Sequence, residues 1–255
     1  MIKRSYLFTK VMGIPVRIHI TLVILLIVVA IKFGIGGILY AIGIFASVAL
    51  HELGHSWVAI RKGCRVREIM LLPIGGVAKM DRIPTRPMDE FLVAAAGPLT
   101  SLILAALFGW AGRFAFPLTS MCYVNLMLCL FNLLPSFPMD GGRIFRAAMT
   151  PKLGRLKATA LAARIGRIMA VAGGIFGLFQ GNFFLVLIAV FIYQAAGAEY
   201  RAVYLQQMSQ EWFTGGRPAD IEVSPPPYAR KAPPFWSEWK NKTNAFFNDL
   251  FKNWQ

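Results

Sequence analysis

Three long stretches of the chain, 91–112, 114–139 and 168–198, carry no charged side chain. A helix needs about 20 apolar residues to cross the hydrocarbon of a bilayer, so each stretch can span it, and the last two leave room for bends or pairs. In lipid a spanning segment must satisfy its own backbone, which leaves only helices or closed barrels. Hydrophobic residues make up 56% of the 255 and charged residues 15%, a balance that argues against an ordinary soluble domain.

The expected fold class is therefore an all-α polytopic membrane protein. About six transmembrane helices are placed near 16–33, 37–62, 89–112, 117–138, 157–179 and 182–205. The apolar run 18–31 follows Lys3 and Arg4 but lacks a small-residue cleavage site, so it reads as a retained span and not a signal peptide. Between the second and third spans, 66–80 reads as two apolar runs about Gly75-Gly76, the pattern of a small membrane-associated β-hairpin.

A net charge of +15 would suit nucleic acid, but its distribution points elsewhere. With the N-terminus inside, 25 of the 27 Lys and Arg residues fall on one side of the expected spans, and only Lys32 and Arg113 fall on the other. The positive-inside rule accounts for that asymmetry, so both termini are expected in the cytoplasm of a cell whose plasma membrane holds the chain, with no nucleic-acid partner. Cys64, Cys122 and Cys129 form no CxxC pair and read as packing residues.

The organisation expected is a transmembrane domain over 1–205, a Pro-rich linker over 206–234, and a segment over 235–255. In that last segment Phe235, Trp236, Trp239, Phe246, Phe247, Leu250, Phe251 and Trp254 recur near helical spacing with lysines between them, as in an interfacial amphipathic helix. An irregular tail with scattered aromatics is the alternative.

Within the second span lies His51-Glu52-Leu53-Gly54-His55. On a helix, residues four apart share a face, so the two imidazoles can chelate one zinc ion while Glu52 reaches a water beside it. The chain has three histidines and spends two of them, with a carboxylate, inside an apolar helix, which is costly without a compensating role. Structural histidines satisfied by neighbouring helices are the bland alternative. A catalytic zinc needs a third protein ligand and one open position. Two carboxylates compete for that place, Asp140 at the edge of the 114–139 stretch and Glu199 at the end of the sixth span. Asp140 follows Asn132-Leu133-Leu134-Pro135-Ser136-Phe137-Pro138-Met139 and precedes Gly141-Gly142, where prolines interrupt a helix and glycines permit a sharp turn that can aim a carboxylate inward.

HExxH in one span and NxxPxxPxDGG in another together resemble the site-2 protease family of intramembrane metalloproteases, of peptidase M50 type. The resemblance runs from about Gly13 to Tyr204 and takes in Pro73-Ile74-Gly75-Gly76 and Ala95-Ala96-Gly97-Pro98-Leu99. Ser101 stands where family members often have Asn, and Met139 where Leu is frequent; both departures are read as remote from the ligands. The resemblance implies an intramembrane zinc metalloendopeptidase with one zinc ion per chain, held by His51, His55 and Asp140. It further implies Glu52 as general base and Asn132 as a candidate for steadying the tetrahedral oxyanion. Its substrates would be transmembrane proteins or peptides within the lipid bilayer. No PDZ-like or CBS-type regulatory insertion is apparent, so control is expected from a regulatory membrane partner, from substrate trimming or from the tail.

Two other classes compete with this reading. A membrane metal transporter would also hold His and carboxylate groups in a bundle, but transporters often show repeated halves, and no internal repeat is found. An inactive protease-like binding protein would not need a complete set of ligands and base. Outside the motifs, His19 is read as interfacial, Gly97 and Ser101 as small helix-packing residues, and Arg143, Arg146, Arg164 and Arg167 as snorkelling toward lipid headgroups.

Overall fold

A helix of 42 residues is about 63 Å long, twice the roughly 30 Å of bilayer hydrocarbon. Helix α1, Ile20–Arg61, has that length in the computed structural model, and it is interrupted at Gly34, where φ 63° and ψ −158° depart from helical geometry. Its two arms are the expected first and second spans. The structure describes residues 5–81, 84, 86–113 and 116–214. After α1 come α2 (Pro87–Ala111), α3 (Phe116–Asn132), α4 (Asp140–Leu153), α5 (Arg155–Phe179) and α6 (Phe183–Thr214). Four of these, α1, α2, α5 and α6, are long and apolar enough to cross a membrane, and α3 is a shorter apolar helix. The chain has the fold of a multi-pass helical membrane protein.

The outward surface fits that environment. Large apolar side chains such as Ile31, Leu178 and Phe179 face outward. Helix contacts are made instead by small residues, with Ala59, Ala94, Ser101, Ala158, Ala162 and Ala196 nearly or fully buried. Lipid tails are as apolar as leucine, so helices in a bilayer associate through close backbone approach, which small side chains allow. Polar ties supplement it: Asn125 Nδ2 on α3 donates to Ser47 Oγ on α1 at 3.0 Å.

Four strands, not two, form the β element. β1 (Ser5–Val11) and β2 (Ile14–His19) join β3 (Val66–Leu72) and β4 (Gly75–Met80) in the order β1-β2-β3-β4. The first and last pairs are antiparallel, and the central β2–β3 pair is parallel, with α1 as the crossover between them. Met12 and Gly13 both have positive φ, as a two-residue type I′ hairpin turn requires. Ile14, Val16, Leu22, Ile69 and Leu71 form the core beneath the sheet. The 66–80 hairpin is present, but its turn lies at Pro73-Ile74, two residues before the expected glycines, which open β4. The first expected span began within β2; α1 starts only at Ile20, where His19 Nδ1 accepts from Thr21 N as the N-cap.

Two further boundaries differ from expectation. The fourth span ends at Asn132, and 133–139 is an irregular crossing into α4, a helix not foreseen. Non-helical backbone at membrane depth needs partners inside the protein. Here Leu133 N donates to Cys129 O, Ser136 N to Leu134 O, and Met139 N to Ser136 O. At the other end α6 runs past 205 to Thr214. The Pro-rich stretch from 218 and the aromatic segment 235–255 lie outside the described residues. Cys64, Cys122 and Cys129 are free thiols.

Candidate metal centre

His51 and His55 are one turn apart on α1 and both nearly fully buried, as a pair four residues apart on an inward face should be. Their Nε2 atoms lie 3.2 Å apart. Asp140 Oδ2 arrives from the first turn of α4, 3.1 Å from His51 Nε2 and 3.0 Å from His55 Nε2. The start of a helix is a favourable place for a carboxylate, because the unpaired N–H groups there carry partial positive charge.

Glycines let the approach close. An added Cβ at Gly142 would stand 2.6 Å from Ser136 C and 2.7 Å from Phe137 N, and one at Gly141 would collide with the Leu133 and Leu134 carbonyls. The irregular crossing folds directly over the first turn of α4, which only glycine permits at those two positions. Gly97 on α2 plays the same part across the site, since a Cβ there would strike His55 Nε2 and lie 2.7 Å from His51 Nε2.

The imidazoles are held by their other nitrogens. His55 Nδ1 is 2.7 Å from the carbonyl of Val93, which can only accept, so Nδ1 carries a proton and the neutral ring presents its Nε2 lone pair to the triad. His51 Nδ1 is 2.9 Å from Ser101 Oγ, itself fully buried. Such outer contacts fix ring orientation in metal sites. Ser101, expected to be a packing residue remote from the proposed ligands, instead touches His51. The i, i+4 spacing of Gly97 and Ser101 was the available signal, since it puts both on one face. Nothing in the sequence distinguished the Val93 carbonyl.

Three donor atoms 3.0 to 3.2 Å apart suit one cation. A tetrahedral zinc with arms of 2.0–2.1 Å has edges of about 3.3 Å. A proton lies along one line and bridges two atoms; a cation at the common centre satisfies all three. Among the described residues, His51, His55 and Asp140 are the group of this kind with the geometry to hold a metal ion. Glu199, the competitor for third ligand, is elsewhere, 2.8 Å from Arg146 Nη1.

Glu52 and Asn132 face the same space, a cavity of ≈ 910 Å³ that also exposes His51, His55, Asp140 and Arg143. Glu52 lies against β4: a Cβ on Gly76 would fall 2.5 Å from Glu52 Cγ. Asn132 Nδ2 donates to Leu128 O at 2.9 Å, leaving its second hydrogen for another acceptor. Residues 74–81 form one wall, and β4 is an edge strand of the sheet.

The arginines divide differently from expectation. Arg164 is exposed, but Arg146 is fully buried and paired with Glu90 and Glu199. Arg167 packs against Gly197 and lies over the Tyr193 ring at 5.5 Å. Carboxylate and aromatic partners on other helices turned both inward.

Comparison with known proteins agrees with the site. The model of peptidase family M50 matches residues 39–117 and 110–173, which contain both motifs. Zinc metalloprotease MJ0392 of Methanocaldococcus jannaschii is 41% identical over 230 residues, 86% of this chain and 66% of that protein. Rip3 of Mycobacterium tuberculosis is 38% identical over 215 residues, 76% of this chain and 52% of that one. The chain thus spans between half and two thirds of the length of these relatives. The solved site-2 protease of Methanocaldococcus jannaschii superposes with a TM-score of 0.61 at 42% identity, covering 77% of this chain and 95% of that one. With the family model matching over half of the chain and one relative 41% identical across most of it, the chain belongs to peptidase family M50.

Proposed function

We propose that the chain is an intramembrane zinc metalloprotease, hydrolysing peptide bonds of substrates that span or adjoin the bilayer. The observation that carries this is the convergence of His51, His55 and Asp140 to within 3.2 Å of one another, with Glu52 on the same cavity. In this reading those three residues hold one zinc ion. Bound there, zinc supplies Lewis acidity that brings the pKa of a water to about 7.

Glu52 takes the proton of the attacking water and returns it to the leaving amine nitrogen. Asn132 directs its second N–H at the developing oxyanion. A transmembrane substrate hides its carbonyls in its own helix, so it must unwind first and find new backbone partners. The free edge of β4, along the cavity wall, supports strand addition as the way it does so. Burial of the histidines among α1 and α2 shields their rings from bulk water. The basic residues on one side of the spans support cytoplasmic termini in a plasma membrane.

Purified protein in liposomes with a membrane substrate tests the reading. Glu52→Gln is expected to keep zinc and lose cleavage by at least a hundredfold. Cleavage surviving in that variant sinks the assignment of Glu52. A transporter would move zinc across the vesicle wall with no dependence of proteolysis on Glu52.

A further inference from the structure

Arg146 is the largest fully buried side chain among the described residues. It sits on α4 six residues after Asp140, about 9 Å along the helix. Its Nε donates to Glu90 Oε1 at 2.8 Å, its Nη2 donates to the same oxygen, and its Nη1 donates to Glu199 Oε1 at 2.8 Å. The guanidinium lies over the ring of Phe137, 4.8 Å from its centroid. Arg155 Nη1 completes the group, 3.4 Å from Glu90 Oε2. Two guanidiniums and two carboxylates leave the cluster formally neutral.

A buried set of charges is a poor way to gain stability, because desolvation offsets attraction and apolar replacements often do as well. What such a set does supply is direction, since a planar fork accepts its partners in few geometries. Glu90 is three residues before Val93, whose carbonyl orients His55. Phe137 is three residues before Asp140. A single guanidinium therefore ties the helix that orients one ligand to the segment that delivers another.

We propose that Arg146 is a positioning residue for the metal centre. Shared between Glu90 of α2 and Glu199 of α6 and laid on Phe137, it holds the start of α4 where Asp140 meets the histidines. This rests on the reading of His51, His55 and Asp140 as a zinc site. Ligand groups must be held within about half an ångström to bind well, and α4 has no side-chain cap of its own to hold its first turn.

The test is the zinc dissociation constant of the full chain in lipid nanodiscs, by chelator competition, with thermal unfolding of the zinc-free protein alongside. Arg146→Lys keeps the charge and loses the fork. Glu90→Gln with Arg146→Met removes both charges and leaves Arg155 and Glu199, again a neutral set. Glu199→Gln keeps the Arg146–Glu90 pair and is the variant expected to fold in every case. Outer contacts of metal sites are typically worth ten- to a hundredfold in affinity. The first two variants are expected to weaken zinc binding by that factor, and Glu199→Gln by at least fivefold. A merely structural cluster would lower the melting temperature while the folded protein bound zinc as wild type does. Affinity within twofold of wild type in every variant that folds overturns the proposal. His55→Ala separates the two levels: it must abolish tight binding, and if it does not, the zinc-site reading falls and takes this proposal with it.

Discussion

His51 Nδ1 and Ser101 Oγ lie 2.9 Å apart across the α1–α2 contact, with His51 3% and Ser101 0% exposed. Both side chains are buried, and each is the other's hydrogen-bond partner. The contact turns the His51 ring about its Cβ–Cγ bond until Nε2 meets Asp140. Orientation of the His51 ring thus depends on a helix that adds no residue to the triad.

Ser101→Ala leaves the buried Nδ1 of His51 without its hydrogen-bond partner, at a cost of about 1–3 kcal/mol, and frees the ring to rotate. Zinc affinity is expected to fall ten- to a hundredfold, with the helical content unchanged. Ser101→Thr keeps the hydroxyl and is expected to stay within a few-fold of wild type. Equal affinities for the Ala variant and wild type would show that Ser101 does not orient the ligand.

Gly97→Ala separates metal binding from folding. Alanine is ordinarily preferred to glycine inside a helix by roughly 0.5–1 kcal/mol. Here its methyl would stand in the place of the imidazoles, 2.7 Å from His51 Nε2 and closer still to His55. The rings must swing away and the triad opens. A ligand at a hundred times its dissociation constant stabilises a protein by about 2.7 kcal/mol. Zinc is expected to raise the melting temperature of wild type and to leave that of Gly97→Ala unmoved; a shift equal to wild type's contradicts this.

Gly142→Ala meets backbone, not side chain, at 2.6 and 2.7 Å. Backbone atoms of the 133–139 crossing cannot rotate out of the way, so the first turn of α4 must shift, carrying Asp140 with it. Overpacking of this kind costs about 1–3 kcal/mol. A lowered melting temperature of the zinc-free protein together with weakened zinc binding is the expected pair of results. Finding both unchanged would mean the crossing is more pliable than its close contacts imply.

The parts of this protein legible in its sequence are those governed by local pattern. Helical spacing put His51 and His55 on one face, uncharged length located the apolar spans, and the Pro-rich approach to Asp140-Gly141-Gly142 marked a helix break. What escaped depended on partners far along the chain. Ser5–Val11 has no strong alternation and is a strand because β2 pairs with it. Ser101 looks like any small residue of a helix interface until His51 is set opposite. Arg146 resembles its neighbours in charge spacing, and what distinguishes it is Glu90 and Glu199, 56 and 53 residues away. The Gly75-Gly76 pair looks like a turn in the sequence; Gly76 is instead small because Glu52 occupies the space where its side chain would be.

That last contact allows the proposed role of Glu52 to be tested apart from the proposed metal site. A methyl on Gly76 would lie 2.5 Å from Glu52 Cγ, 3.3 Å from Glu52 Cδ and 3.2 Å from Val48 Cγ1. Of these, the Glu52 side chain is the one free to yield, so Gly76→Ala is expected to rotate the carboxylate away while His51, His55 and Asp140 stay in place. A misplacement of about 1 Å in a reacting group can cost a hundredfold in rate. Turnover of a membrane substrate in proteoliposomes should therefore fall by about that factor, with zinc affinity within twofold of wild type. Glu52→Gln should show the same split, and combining the two changes should add little, because both remove one function. Full turnover in Gly76→Ala would mean that β4 moves instead, and that Glu52 is not positioned by the strand it touches.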